Sequence, residues 1–267
     1  MNDLVDIGVN LAHRRFNADR EAVIQGAQDA GVQRMVITGT SVASTQAAVD
    51  LARTRPGTLF ATAGIHPHDA GRATERDLIA ILELARSPEV RAIGECGLDF
   101  DRDFSPRAQQ EAIFESQLMQ AERTGLPLFL HERAAHDRFM EILRRHRSNL
   151  GLAVVHCFTG NARELDAYLA LDLHVGITGW ICDERRGLGL RSVVSKVPAD
   201  RLMIETDAPF LTPPGAHAPG RRNEPAFLTH VLEEVARSTG RPAEQVASET
   251  TRTAGLFFGL DPRPSSR

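Results

Sequence analysis

Eight times along this chain a short apolar run rich in β-branched residues is followed by a longer amphipathic stretch, and this alternation restricts the fold more than any other feature. The apolar runs fall at roughly 4–9, 34–40, 58–65, 90–95, 127–131, 152–156, 173–178 and 201–206. Helical periodicity follows each of them, at 18–30, 42–54, 74–86, 106–124, 134–147, 162–171, 188–195 and 225–238, with one more helix at 242–258. Strands separated by helices run parallel, because a crossover of a dozen residues returns the chain to the same end of the sheet. Gly31, Gly125 and Gly240 mark helix ends, while Pro106 and Pro225 suit first helical turns and Ser105 is expected to cap the amides that follow it.

Eight parallel strands in 267 residues fit an α/β chain closed into a single (β/α)8 TIM-like barrel, which we place over residues 1–260. No G-x-G-x-x-G turn favours an open dinucleotide-binding sheet. The segment TPPGAHAPGRR at 212–222 reads as a loop over one barrel face, and residues 261–267 as a disordered tail.

Composition narrows the function classes. The chain opens with no basic leader, and no stretch approaches the ~18 apolar residues that span a bilayer, so the expectation is a cytoplasmic monomer with no membrane attachment. Cys96, Cys157 and Cys182 are odd in number and lack C-x-x-C spacing, which favours free thiols. A formal net charge of -4 excludes a protein that coats nucleic acid by bulk electrostatics. Any nucleic acid must be held locally.

In a barrel of this type the chemistry lies where strands end. Here those ends are polar: Asp6 and Asn10 after the first run, His66 and His68 after the third, Glu95 after the fourth, His131 after the fifth, His156 after the sixth, and Glu205-Thr206-Asp207 after the eighth. A lone histidine closing an apolar strand is usually structural, but convergence from several strands is harder to attribute to chance. Glu95, His131, His156 and Asp207 form a mixed nitrogen and oxygen set suited to one or two divalent ions, zinc, manganese or magnesium. Asp207 is placed to act as general base or shared ligand. His66 and His68 suit phosphate contact or proton donation, although Pro67 between them also fits a simple loop corner. Arg133 and Arg222 are candidate phosphate clamps. Trp180 suits stacking on a base or packing against the rim. Asp99, Asp101 and Asp103 are spaced as in a calcium loop, but Phe104 replaces its glycine and Gln110 its final glutamate, which excludes that motif.

These residues stand in phrases that resemble the TatD-like metal-dependent deoxyribonucleases: GIHPH at 64–68, IGECGLDF at 93–100, FLHER at 129–133, VVHCFTG at 154–160 and IETDAPFL at 204–211. VDIGVNL at 5–11, GITGWICDERRG at 176–187 and RRNEP at 221–225 resemble the namesake branch of that family. The resemblance runs nearly end to end. It implies a (β/α)8 nuclease that hydrolyses phosphodiesters with a divalent metal. For the namesake branch it implies a 3′-to-5′ exonuclease on single-stranded DNA or RNA that uses magnesium and serves DNA repair. By matched position it carries Glu95, His131 and His156 over as metal ligands and Asp207 as catalytic carboxylate or ligand. In the mechanism we expect, Glu95 and His66 also take catalytic roles, His66 by assisting the leaving 3′ oxygen.

One departure is plain. Most such proteins begin D-x-H-x-H, where this chain has Asp6, Gly8 and Asn10. Asp6 and Asn10 with Asp207 would then hold a hard, partly hydrated magnesium ion. Two rival readings remain at this stage: a barrel amidohydrolase or lactonase acting on a small carbonyl substrate, and a non-catalytic nucleic-acid-binding protein. Glu95 in place of a bridging lysine weighs against the first, and four retained ligands weigh against the second.

Overall fold

The computed structural model describes residues 3–260; the tail expected at 261–267 lies outside them. Within the described residues eight strands form one sheet in strictly sequential order: β1 (Leu4–Val9), β2 (Val32–Ile37), β3 (Leu59–Ala63), β4 (Val90–Asp99), β5 (Leu128–Arg133), β6 (Ala153–Val155), β7 (His174–Ile177) and β8 (Leu202–Ile204). Each pairs with the next in parallel. The seam between β8 and β1 is joined just beyond the end of β8, where Asp207 N donates to Gly8 O of β1 at 2.8 Å and Asn10 N to Ala208 O at 2.7 Å. The result is the (β/α)8 barrel that the alternation called for.

Among the described residues nine α-helices surround the sheet: α1 (Arg20–Asp29), α2 (Val42–Arg53), α3 (Glu75–Leu84), α4 (Arg107–Thr124), α5 (His136–His146), α6 (Ala162–Ala170), α7 (Leu188–Val194), α8 (Leu228–Thr239) and α9 (Ala243–Phe258). Ser41, Thr74 and Asn161 begin α2, α3 and α6 with reciprocal capping boxes, which satisfy amides that the first turn leaves free. Gly125, Gly240 and Gly259 end α4, α8 and α9 in the left-handed conformation that a side chain disfavours. Ser105 does not cap α4 as expected. Its hydroxyl accepts from Gly71 N and donates to His68 O, each at 2.8 Å, and so ties the loop after β3 to the start of α4.

Two apolar layers hold the barrel. Outward-facing strand residues pack on the helices, whereas Val5, Ile7, Val36, Phe60, Ala92, Phe129, Val154 and Met203 fill the interior. Phe257, Phe258 and Leu260, at and just after the end of α9, join that inner cluster, and Phe257 meets His174 at the start of β7. The N-terminal end of the barrel is therefore stoppered by aromatic packing. Polar side chains collect at the other end.

β4 departs from expectation by running four residues past Glu95, to Asp99. Its register against β5 is irregular between Ile93 and Cys96. Glycine makes this course possible: a Cβ at Gly94 would lie 2.1 Å from Phe129 O, and one at Gly97 1.9 Å from His131 O. The close approach brings both Glu95 and Asp99 to the mouth.

Candidate active site at the barrel mouth

A single carboxylate oxygen is the focus of this mouth. Glu95 Oε1 lies 2.8 Å from His131 Nδ1, 2.8 Å from His156 Nε2 and 3.1 Å from His66 Nε2. The four side chains come from β4, β5, the residue following β6, and the loop after β3. They share a cavity of about 730 Å³ with Asn10, His68, Asp99, Arg133, Trp180 and Asp207. Convergence of strand-end residues, inferred from spacing, is thus what the fold produces for most of the candidates.

Electrostatics in the group are strongly coupled. Burial alone would raise the pKa of Glu95, but the charges of His156 and His66 and hydrogen bonds from His131 and His156 hold its carboxyl well below the usual range. His156, although burial opposes it, is raised well above the ordinary imidazole value by Glu95 and Glu205. His66 moves the other way, lowered mainly by burial. Because His68 N donates to His66 Nδ1 at 3.1 Å, the His66 proton sits on Nε2 and faces Glu95. Its Nε2 proton is directed at Glu95, and that proton must leave before Nε2 can hold an ion.

The residues fit a cation. His66, Glu95 and His131 each offer a ligand atom, and these atoms lie within 4.8 Å of one another. The second nitrogen of His131, Nε2, is buried without a hydrogen-bond partner, 3.5 Å from Asp99 Oδ2. That nitrogen is turned to Asp99, so an ion gathered at Glu95 would meet Nδ1 of His131.

Asp207 stands across the cavity. It sits at a φ of 53°, a backbone state uncommon for a residue with a side chain and held here by bonds to Gly8 O and from Phe210 N. Burial, opposed by His156 and reinforced by Glu95 and Glu205, pushes its pKa up to about 7. Asn10 Nδ2 donates to its Oδ1 at 3.0 Å.

Two expected residues lie elsewhere. Asp6 is fully buried below the mouth, where Oδ1 accepts from Thr206 N and Gly8 N and Oδ2 from the Thr206 hydroxyl, and burial raises its pKa to about 8. Its carboxylate closes the seam between β8 and β1 and does not face the cavity. Arg222 grips Asp19 through both of its terminal nitrogens, reaches Glu224 and lies over the Phe16 ring. It fastens the loop at 212–222 to the entrance of α1. Arg133 does line the cavity, paired with Asp101 at 2.8 Å. One face of Trp180 is covered by the Arg186 guanidinium, 4.4 Å from the ring centre.

Sequence reasoning missed two carboxylates and two amides. Asp99 accepts from Asp101 N and Arg102 N through Oδ1, while its Oδ2 meets His68 Nε2 at 2.7 Å and faces His131. Glu205, completely buried, accepts from Cys157 N and lies 3.4 Å from His156 Nδ1. On the buried side of α4, Gln117 bonds both N and O of Ile65, and Gln110 bonds both N and O of Asp99. Buried glutamines seven residues apart on one helix were the available signal, since they fall in line with the apolar Phe114, Leu118 and Ala121.

Imidazoles and carboxylates gathered at the C-terminal mouth of a (β/α)8 barrel define a metal-binding hydrolase. Residues 5–259 match the family described as TatD related DNase, and the chain belongs to that family. This membership makes it a hydrolase of the nuclease class. It is 49% identical to the 3'-5' ssDNA/RNA exonuclease TatD of Edwardsiella piscicida, covering 96% of this chain and 100% of that one. Identity to the protein of the same name from Musicola paradisiaca is 50%, over 96% and 98%. Among solved structures, the TatD homologue YJJV of Escherichia coli K12 superposes with a TM-score of 0.88 at 28% identity, covering 96% of this chain and 98% of that one. No helix of the described residues is long and apolar enough to cross a membrane.

Proposed function

We propose that this chain is a 3′-to-5′ exonuclease that removes nucleotides from single-stranded DNA or RNA with a divalent metal, magnesium in the first instance. The observation that carries the reading is the focus of three imidazoles on Glu95 Oε1 at the floor of an open cavity, with Asp207 facing it. Glu95, His131, His156 and Asp207, joined by His66, would hold the metal. When bound, the ion polarises a phosphoryl oxygen and acidifies water. Asp207 Oδ2 accepts the proton released by the attacking water, because Oδ1 is engaged by Asn10. Glu205 and Asp99 orient His156 and His131 through the nitrogens that do not face Glu95, which keeps the imidazoles in one tautomer and position. His68, half-buried and paired with Asp99, is the better-placed donor to the departing 3′ oxygen. Arg133, on the cavity lining, is the guanidinium offered to a backbone phosphate.

Names of the relatives support the polarity and the single-stranded substrate, and the same reading includes a cytoplasmic monomer that trims strand ends in DNA repair. With Asp6 committed to the seam, Asn10 and Asp207 are what the first and eighth strands offer a hard, hydrated ion, which favours magnesium or manganese over zinc. Digestion of end-labelled single strands after chelation, restoring magnesium, manganese or zinc in turn, tests this. Immediate release of a 3′ label, late release of a 5′ label and the highest rate with magnesium or manganese support the proposal. A highest rate with zinc, or early loss of the 5′ label, contradicts it.

A further inference from the structure

Seven large apolar side chains are exposed among the described residues, and two of them are aromatic: Phe104, 69% exposed, and Phe210, 47% exposed. Isolated aliphatic exposure is ordinary on protein surfaces. These two rings differ because both line the metal-site cavity.

Topology sets them against each other. Phe104 stands on the loop between β4 and α4, and Phe210 on the loop between β8 and α8. In an eight-stranded barrel of sequential order, β4 and β8 are four places apart in either direction, so their loops face each other across the mouth. Neither ring is loose. Phe104 packs edge-to-face on His68, with centroids 4.8 Å apart, and Phe210 does the same on His13 at 5.6 Å. His68 is in turn fixed by Asp99, and His13 Nδ1 accepts from Arg15 N at 3.2 Å. Phe210 N also donates to Asp207 O, three residues back. Two braced aromatic rings therefore flank a floor of phosphodiester chemistry.

We propose that Phe104 and Phe210 form a two-sided base clamp, stacking on nucleobases of the single strand next to the phosphodiester being cut. The inference rests on the nuclease reading given above. Every base has a π-face, so such a clamp grips a strand with little regard to sequence, and a paired, stacked base cannot enter it. It supplies a physical basis for acting on single strands that the polar floor alone does not. Trp180, the aromatic residue that sequence suggested for stacking, has one face already occupied by Arg186.

The test uses single-stranded oligonucleotides with a normal base, or a stable abasic analogue, at the 3′-terminal or the penultimate position, and reads kcat/KM for the first cleavage with magnesium. Wild-type protein is expected to prefer the intact strand by roughly 5- to 100-fold at one of the two positions. Phe104→Ala, Phe104→Leu and Phe210→Ala are expected to bring that ratio towards one, and Phe104→Tyr to restore it. The leucine variant separates stacking from simple filling of the rim. A ratio near one in wild type, or a preference that survives the leucine and alanine changes, overturns the clamp while leaving the nuclease intact. Failure of wild type to cut any strand overturns both.

Discussion

His131 faces Glu95 Oε1 with Nδ1 at 2.8 Å, while its buried Nε2 lies 3.5 Å from Asp99 Oδ2. One side chain thus joins a group that gathers imidazoles to a carboxylate that merely steadies them. This separation of roles between Glu95 and Asp99, four residues apart on β4, leads to the first expectation. Asp99→Asn keeps the size of the side chain but removes the charge that holds His131 and His68. Metal affinity, measured by titration calorimetry, is expected to fall about 10- to 100-fold with the fold intact by circular dichroism. Unchanged affinity would show that Asp99 serves only the loop amides.

Gly8 explains the departure at the first strand. A Cβ there would lie 2.3 Å from Glu205 Oε2, and one at Gly176 2.7 Å from Glu205 Oε1. The buried carboxylate of Glu205 occupies the space into which a side chain at position 8 would point, so an imidazole cannot be accommodated while Glu205 stays in place. Gly8→Ala is therefore expected to destabilise the protein by about 1–3 kcal/mol and to lower activity by displacing Glu205 from His156. Urea unfolding checks the first part and nuclease assay the second. An alanine variant as stable and active as wild type would mean that Glu205 moves freely.

How much of this was legible depended on the range of the interaction. The strands were readable because each is a local apolar run, and Glu95, His131, His156 and Asp207 because strand ends mark the mouth. Asp99 was not, since Gly94 and Gly97 on either side of Glu95 break the apolar run and make a continuing strand look like a loop. Glu205 stood in view at a strand end, but its role depends on Gly8 and Gly176 from neighbouring strands, far away in sequence. The same holds for Asp6 and Arg222. Their residue types suited the site, and their partners, Thr206 and Asp19, were fixed only when the seam and the loop at 212–222 closed.

Arg222 yields a prediction of the opposite kind. Because its guanidinium is used up by Asp19 and Glu224, Arg222→Ala is expected to cost about 1–2 kcal/mol of stability while KM for a single strand stays within roughly twofold. Thermal unfolding and steady-state kinetics separate the two. A large rise in KM with unchanged stability would return Arg222 to the substrate.

His174 makes acid sensitivity predictable. At the stoppered end of the barrel, burial and then the charge of Arg201 lower its pKa from the ordinary 6.5 to about 4. The folded state favours the neutral ring, so its contribution is fully present above pH 6.5 and is lost as pH falls towards 4. The loss is at most about 3 kcal/mol. Chemical unfolding of wild type and His174→Gln at pH 7 and pH 4.5 checks this: the variant is expected to lose less stability on acidification. Equal losses would place the acid sensitivity elsewhere.

The central claim is that the Glu95 focus is where a metal-dependent nuclease cuts. Release of mononucleotides from a 3′-labelled single-stranded DNA with added magnesium, compared among wild type, Glu95→Ala and His131→Ala, tests it most directly. The account predicts immediate release by wild type and a fall on the order of 100-fold or more in each variant. Intact DNA with wild type in every metal tried, or variants as active as wild type, would contradict it.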